Sequence, residues 1–138
     1  MLFTSFEAYE QFLYVLPEAE PSIMQSTLVL VRHGHAVATV RGELHFAMDI
    51  RLVVREQLLA LPGIEITDYG YEVWRKDELL YWYDSQPHPN DPVLASTHPH
   101  HKHVPPDIKH HRIPAPGLSL SRPNLLHLIA EIERELLG

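Results

Sequence analysis

Residues 50–83 of this chain read IRLVVREQLLALPGIEITDYGYEVWRKDELLYWY. Apolar and polar side chains alternate along most of this stretch, and the apolar positions are rich in β-branched and aromatic residues. A period of two is typical of a strand with one buried face. The turn signals Pro62-Gly63 and Arg75–Glu78 divide the stretch into three strands, with 57–61 either continuing the first strand or forming a short helical turn. Because parallel crossovers need a dozen residues or more, these strands are predicted to be antiparallel.

Further elements flank this stretch on both sides. Apolar residues recur at helical spacing near each end of the chain, and Pro17 is predicted to end the first helix. The predicted segments are a helix over 6–16, strands over 23–32 and 37–46, and a helix over 125–137. Together they predict an α+β fold: an antiparallel sheet of about five strands with an N-terminal helix, a long His/Pro-rich loop and a C-terminal helix. Trp74 and Trp82 are assigned to the core, because they alternate with the tyrosines.

Composition limits the classes of protein that fit. At 138 residues with 45% hydrophobic content, one domain over 1–138 is expected, with the long loop at about 85–118. The net charge of -7 argues against a generally basic nucleic-acid binder. The absence of cysteine excludes thiolate chemistry. The acidic N-terminus does not resemble a signal peptide, and no apolar run is long enough for a membrane span, so a cytoplasmic location without membrane contact is expected.

The loop from Asp84 to Arg112 holds seven of the eleven histidines. Imidazole is a ligand for Zn²⁺ and other divalent metals, and it titrates near neutral pH. A metal hypothesis draws on the loop histidines His88, His98, His100, His101 and His103. The alternative is that several of these rings pack or hydrogen-bond within the loop. The sequence leaves both open, and zinc or another divalent metal is the one cofactor that it suggests.

A third hypothesis is proton transfer on RNA without a metal. Cleavage of RNA by its own 2′-hydroxyl needs a base, an acid and a cation for the phosphorane. In this hypothesis His100, His101 and His103 transfer protons. Lys102 and Arg112 bind phosphate, and Asp84 orients one imidazole.

Tyrosines and arginines of the strands suggest a surface for RNA. Four tyrosines share one parity on neighbouring strands: Tyr69, Tyr71, Tyr81 and Tyr83. If Arg51 and Arg55 lie on the same face, Tyr71 and Tyr83 could stack on bases while the arginines bind phosphate. Tyrosines that are half-buried in the sheet are the more common arrangement.

The segment Arg32-His33-Gly34 after an apolar strand is similar to the signature of histidine phosphatases. That chemistry also needs a second arginine, a second histidine and an acid on helix-rich segments. Residues 35–135 instead have strand patterns and a proline-rich loop before the C-terminal helix. A hairpin turn at His33-Gly34-His35 is therefore preferred.

The order of several motifs resembles the TumE-type family of small bacterial toxin–antitoxin proteins. The motifs are Gly42-Glu43-Leu44, Tyr69-x-Tyr71, Tyr81-Trp82-Tyr83-Asp84, Pro87-His88-Pro89 and Pro99-His100-His101-Lys102-His103. The resemblance covers about residues 9–133. It departs from the family at His98, where an aromatic residue is expected, and at 85–87.

The resemblance implies a toxin component with a protein antitoxin as its partner. Joined to the histidine loop, it predicts a toxin that acts on RNA by acid–base cleavage. The alternative is a non-catalytic protein whose loop binds a divalent metal or a partner. Residue patterns leave a homo-oligomer open.

Overall fold

The computed structural model describes residues 3–138. Two α-helices, eight strands and one 3-10 helix follow one another along these residues. In chain order they are α1 (Phe6–Ala19), β1 (Gln25–Ser26), β2 (Val29–Arg32), β3 (Val37–His45), β4 (Ile50–Ala60), β5 (Ile64–Arg75), β6 (Glu78–Asp84), the 3-10 helix (Pro92–Thr97), β7 (His101–His103), β8 (Arg112–Pro114) and α2 (Leu125–Glu135). The predicted α+β class is confirmed.

All eight strands form one antiparallel sheet, which is larger than the predicted five strands. The order is β1-β3-β4-β5-β6-β7-β8, and β2 also pairs with β3. The three extra strands have two origins. The predicted strand over 23–32 is two short strands, and the histidine loop contributes β7 and β8. Neither short loop strand has a long period-two pattern, so pairing decides that they form: β7 pairs with the edge of β6, and β8 pairs with β7.

The first helix continues through Pro17, so the prediction that it ends there was wrong. Pro17 lies in the last turn of α1, where the missing N–H removes a single intrahelical hydrogen bond. The backbone N–H of Glu20 still donates to the carbonyl of Leu16 at 2.9 Å. At the other end, the hydroxyl of Ser5 accepts from the N–H of Ala8 at 3.1 Å and caps the helix.

The two faces of the sheet have different environments. Both helices pack on one face, here called the helix face, where β4 contributes Leu52, Val54 and Leu58 to the core. The opposite face has no α-helix of the described chain on it and is called the open face. Trp74 and Trp82 lie half-buried on the open face. Their assignment to the core was wrong, because the buried residues next to them on β5 and β6 point to the helix face, and neighbours along a strand point to opposite faces.

A buried carboxylate connects the helices to the sheet. Glu56 of β4 is fully buried on the helix face and accepts hydrogen bonds from the hydroxyls of Tyr9, at 2.5 Å, and Tyr71. Asn124, at the start of α2, donates to the hydroxyl of Tyr71 at 3.1 Å. Burial raises the pKa of Glu56, and the two tyrosine hydrogen bonds lower it by less. Glu56 therefore has a structural role in the core.

Turn chemistry explains the hairpins. Met48 and Asp49 have φ of 63° and 60° between β3 and β4, as a type I′ turn requires. The predicted turn at His33-Gly34-His35 is confirmed between β2 and β3, with Gly34 at φ 96°. His33 contacts the hydroxyl of Thr39 across this hairpin at 3.0 Å. The histidine-phosphatase interpretation has no structural support at this position.

Candidate functional site

Strand β7 divides the histidine–lysine motif between the two faces of the sheet. It pairs with β6 so that His101 lies opposite Asp84 and His103 lies opposite Trp82. Side chains directly opposite each other in an antiparallel pair share a face, so these four side chains lie on the open face. Lys102, between the two histidines, points to the helix face.

Asp84, His101 and His103 form a compact, buried group, here called the Asp-His-His cluster. The Nε2 atom of His101 is 2.7 Å from one carboxylate oxygen of Asp84, and that of His103 is 3.6 Å from the other. The two Nε2 atoms are 3.1 Å apart. The side chains of His101 and His103 are 1% and 4% exposed, and that of Asp84 is 13% exposed. Three ligand-type atoms thus converge on one point in the protein.

Backbone carbonyls fix the orientation of both rings. The Nδ1 atom of His101 is 3.2 Å from the carbonyl oxygen of Pro99. The Nδ1 atom of His103 is 3.1 Å and 3.0 Å from the carbonyl oxygens of Ile108 and Lys109. A carbonyl oxygen can only accept a hydrogen bond, so each Nδ1 carries a hydrogen and donates it. The Nε2 atoms of the neutral rings are then both acceptors.

This arrangement places three acceptors against one another. Two imidazole lone pairs and a carboxylate would repel each other unless a positive species lies among them. A proton on one Nε2 atom satisfies that requirement, and so does a metal ion. Burial alone would raise the pKa of Asp84, but the hydrogen bond and charge of His101 outweigh it and lower that pKa. Burial lowers the pKa of His103 by more than the nearby carboxylate of Asp84 raises it. The lowered pKa favours the neutral form of His103.

Three side chains surround the cluster on the open face. The indole of Trp82 stacks on the ring of His103, with centroids 3.7 Å apart. The ring of His88 meets that of His101 edge to face at 4.8 Å. Arg112 of β8 lies opposite His103 in the sheet, and its buried Nε has no hydrogen-bond partner among residues 3–138. Burial and the charge of Arg112 lower the pKa of His88.

A cleft of about 400 Å³ extends from Trp82 across the open face. Its charged lining residues are Arg41, Glu43, Arg55 and Glu72. Arg41 is exposed, and no hydrogen bond or ion pair joins it to another residue in the described part of the chain. The cleft therefore offers both cationic and acceptor groups next to the cluster.

Gly70 makes room for the second arginine of the cleft. A Cβ atom at this position would lie 2.9 Å from the guanidinium of Arg55. Arg55 donates to Asp68 at 2.7 Å, and Asp68 also accepts from the hydroxyl of Ser85 at 2.8 Å. This chain of contacts reaches the residue next to Asp84 and gives Arg55 a fixed position.

Comparison with known proteins identifies the family. The model of the family described as "Toxin TumE" matches residues 13–136. The chain belongs to the TumE toxin family. No curated protein and no solved structure matches it. None of the helices in 3–138 has the length and apolar character needed to cross a membrane.

Two residues of the predicted catalytic group lie outside the cluster of this TumE-family protein. His100 stacks on Tyr69 and its Nδ1 is 2.6 Å from that hydroxyl, while burial lowers its pKa. Lys102 forms an ion pair with Glu131 of α2 at 3.2 Å and lies 4.2 Å from the ring centroid of Tyr81. Both therefore contact the structural core, and the prediction that they join His101, His103 and Asp84 is not met by the geometry.

The predicted RNA surface is also divided. Tyr71 and Tyr83 are buried on the helix face, where Tyr83 donates to Glu131 at 2.8 Å. Arg51 and Arg55 lie on the open face, so the sheet separates the two sets. The register of neighbouring strands, which the sequence alone does not give, determines this. Arg112 is the predicted phosphate-binding residue that the structure brings to the cluster.

The predicted metal ligands separate in the same way. His98 is exposed, and His100 faces Tyr69. His101 and His103 form the cluster with Asp84, and His88 lies beside it. Trp82 and Arg41 are site residues that were not predicted from the sequence. The signal for Trp82 was its parity with Asp84 on the same strand.

Proposed function

We propose that this TumE-family toxin cleaves RNA on the open face of its sheet, with the Asp-His-His cluster as the reacting centre. The observation that carries this proposal is the convergence of Asp84, His101 and His103 beside Arg112, whose Nε is buried and unpaired in the described residues. A free guanidinium next to buried imidazoles suits a phosphate group. As a member of a toxin family, the protein is expected to have a protein antitoxin as its partner.

The cleft beside the cluster supports a single-stranded nucleotide polymer as substrate. Arg41 and Arg55 suit phosphates, and the carboxylates of Glu43 and Glu72 can accept hydrogen bonds from base amino groups. Single-stranded RNA exposes both its backbone and its base edges to such a surface. The mixed charge of the cleft favours a short, specific segment over long, purely electrostatic binding.

RNA also supplies its own nucleophile. The 2′-oxygen forms a bond to phosphorus while the bond from phosphorus to the 5′-oxygen breaks, which leaves a cyclic 2′,3′-phosphate. The 2′-hydroxyl loses a proton and the 5′-oxygen gains one, so the step needs a group that takes and returns a proton. The cluster can do this through His101 and His103 or through a group that they hold, while Arg112 stabilises charge on the phosphate.

The test is cleavage of a 5′-labelled single-stranded RNA by purified, tag-free protein. We expect Asp84→Asn to lower the cleavage rate by about 100-fold or more, because it removes the charge at the reacting centre. Arg112→Met should lower it by about 10-fold or more, because it removes the cation nearest the phosphate. A matched DNA oligonucleotide should not be cut, because it has no 2′-hydroxyl.

His35→Ala is the matched histidine control, since this exposed residue lies on the β2–β3 turn. It should cleave RNA like the original protein. Cleavage of the DNA oligonucleotide would overturn the role of the 2′-hydroxyl. Absence of RNA cleavage by the folded protein, or full activity in Asp84→Asn, would overturn the proposed function.

A further inference from the structure

We propose that Asp84, His101 and His103 bind one divalent transition-metal ion of the zinc class. Metal binding at this site goes beyond RNA cleavage and can be measured with the metal alone.

The orientation of the two rings is that of metal-ligating histidines. In metal sites, a ligating histidine commonly donates its other N–H to a carbonyl or carboxylate, which fixes its tautomer. Both rings meet this condition: the Nδ1 atom of His101 faces the carbonyl of Pro99, and that of His103 faces the carbonyls of Ile108 and Lys109. Both Nε2 lone pairs are therefore directed at the same point, next to a carboxylate.

The spacing of the three donor atoms also suits a metal ion. Two imidazole nitrogens at tetrahedral positions around Zn²⁺, each bonded at about 2.05 Å, are about 3.3 Å apart. The Nε2 atoms of His101 and His103 are 3.1 Å apart, and both face Asp84. All three donor atoms lie within 4.8 Å of one another. A small inward or outward shift of the rings is enough to hold one ion.

The types of the donor atoms select the class of metal. Mg²⁺ and Ca²⁺ prefer oxygen ligands and water, whereas two imidazoles with one carboxylate suit Zn²⁺, Co²⁺, Ni²⁺ or Fe²⁺. The half-buried ring of His88 lies beside the cluster, and its centroid is 4.8 Å from that of the His101 ring. An ion of the zinc class commonly takes four ligands, so the imidazole of His88 or a water would supply the fourth.

The competing explanation is a proton held between His101 and Asp84, whose atoms are 2.7 Å apart. Such a proton would satisfy the three acceptors without a metal. The two explanations differ in a measurable way, because only a metal site takes up one ion per chain and changes the spectrum of that ion.

The experiment is a titration of EDTA-treated, dialysed, tag-free protein with Co²⁺, followed by competition with Zn²⁺. We expect one Co²⁺ per chain, visible absorption bands of tetrahedral intensity, and their loss when Zn²⁺ displaces the cobalt. Because Trp82 stacks on His103 at 3.7 Å, Co²⁺ should also quench its fluorescence. A Trp82→Phe variant should lose most of that quenching and keep the absorption bands.

Asp84→Asn keeps the shape of the side chain and removes the charge of one ligand, and His103→Gln removes one imidazole ligand. Each should weaken Co²⁺ binding by at least about 100-fold, since the loss of even an outer contact of a ligand costs about 10–100-fold. His98→Ala is the matched control, because His98 is exposed in the same loop. It should bind like the original protein. Far-ultraviolet circular dichroism checks that each variant is folded.

Three results would overturn the proposal: no stoichiometric Co²⁺ in the original protein, unchanged binding in folded Asp84→Asn, or equal weakening in His98→Ala. The outcome is independent of the RNA assay. Cleavage that persists in EDTA while no metal binds would overturn only the metal site. Stoichiometric metal binding without RNA cleavage would overturn only the proposed function.

Discussion

Replacing Lys102 with methionine tests how β7 divides its side chains between the two faces. Lys102 contacts Glu131 of α2 at 3.2 Å, and its ammonium lies 4.2 Å and 5.3 Å from the ring centroids of Tyr81 and Tyr83. The same motif places His101 and His103 on the open face. We therefore expect Lys102→Met to destabilise the fold and to leave RNA cleavage and metal binding in place.

The structure gives the size of the expected loss. Methionine keeps most of the alkyl stem of the lysine but cannot pair with the carboxylate of Glu131. That carboxylate is 9% exposed, and among these contacts it keeps only the hydroxyl of Tyr83 as a partner. Loss of one partner from a fully buried ion pair costs about 3–5 kcal/mol, and an exposed pair contributes about 0–1 kcal/mol. Lys102 is 20% exposed, so we expect a loss of about 2–3 kcal/mol in the free energy of unfolding. For a chain of this size, that lowers the Tm by about 6–12 °C.

Urea denaturation followed by circular dichroism measures this loss. The double variant Lys102→Met/Glu131→Gln provides the control, because it also removes the unpaired carboxylate and should recover more than half of the loss. Activity is measured at 25 °C, well below the expected Tm. Unchanged stability together with abolished RNA cleavage would refute the reasoning, because it would place Lys102 at the reacting centre.

Two further predictions concern the core. Burial raises the pKa of Glu56 above its ordinary 4.5, so the folded protein binds this proton more tightly than the unfolded chain does. The test compares the free energy of unfolding of the original protein with that of Glu56→Gln at each pH. The stabilisation due to Glu56 should be full below about pH 4.5 and decline as the pH rises through the raised pKa. Urea titrations that show the opposite slope would disprove this. Gly42 has φ 140°, and an added Cβ would lie 2.5 Å from the carbonyl oxygen of Thr27. Gly42→Ala should therefore lose about 2–5 kcal/mol in the free energy of unfolding. Gly34→Ala, which meets no atom within 4 Å, should lose only the backbone-strain part, and equal losses in the two variants would contradict the predicted clash.

The fold class could be predicted because its signals are local. Alternation along β4 and β5 and helical spacing in α1 and α2 depend only on neighbouring residues, and the predicted strands over these stretches formed. The prediction failed where local preference was weak. Pro17 was accommodated in a last turn. Strand β7 formed because the edge of β6 was available for pairing, and β8 formed because β7 then offered a new edge.

The site was only partly predictable. The sequence identified the loop and the residue types Asp84, His101 and His103, but it also assigned His100 and Lys102 to the same group. Within an extended strand, side chains at i and i+2 share a face and i+1 does not. That rule explains Lys102 once β7 is known to be a strand, but the proline-rich loop gave no period from which to recognise the strand.

The sequence by itself determined the antiparallel sheet with its two helices, the family motif and the supply of imidazole in one loop. These depend on composition, local periodicity and residue order. Only the tertiary structure decided which imidazoles meet, which tyrosines are buried and where Arg112 lies. The physical reason is that strand register and backbone carbonyl positions are set by contacts between distant parts of the chain. A shift of one residue between β6 and β7 would exchange the faces of His101, Lys102 and His103 without changing the sequence.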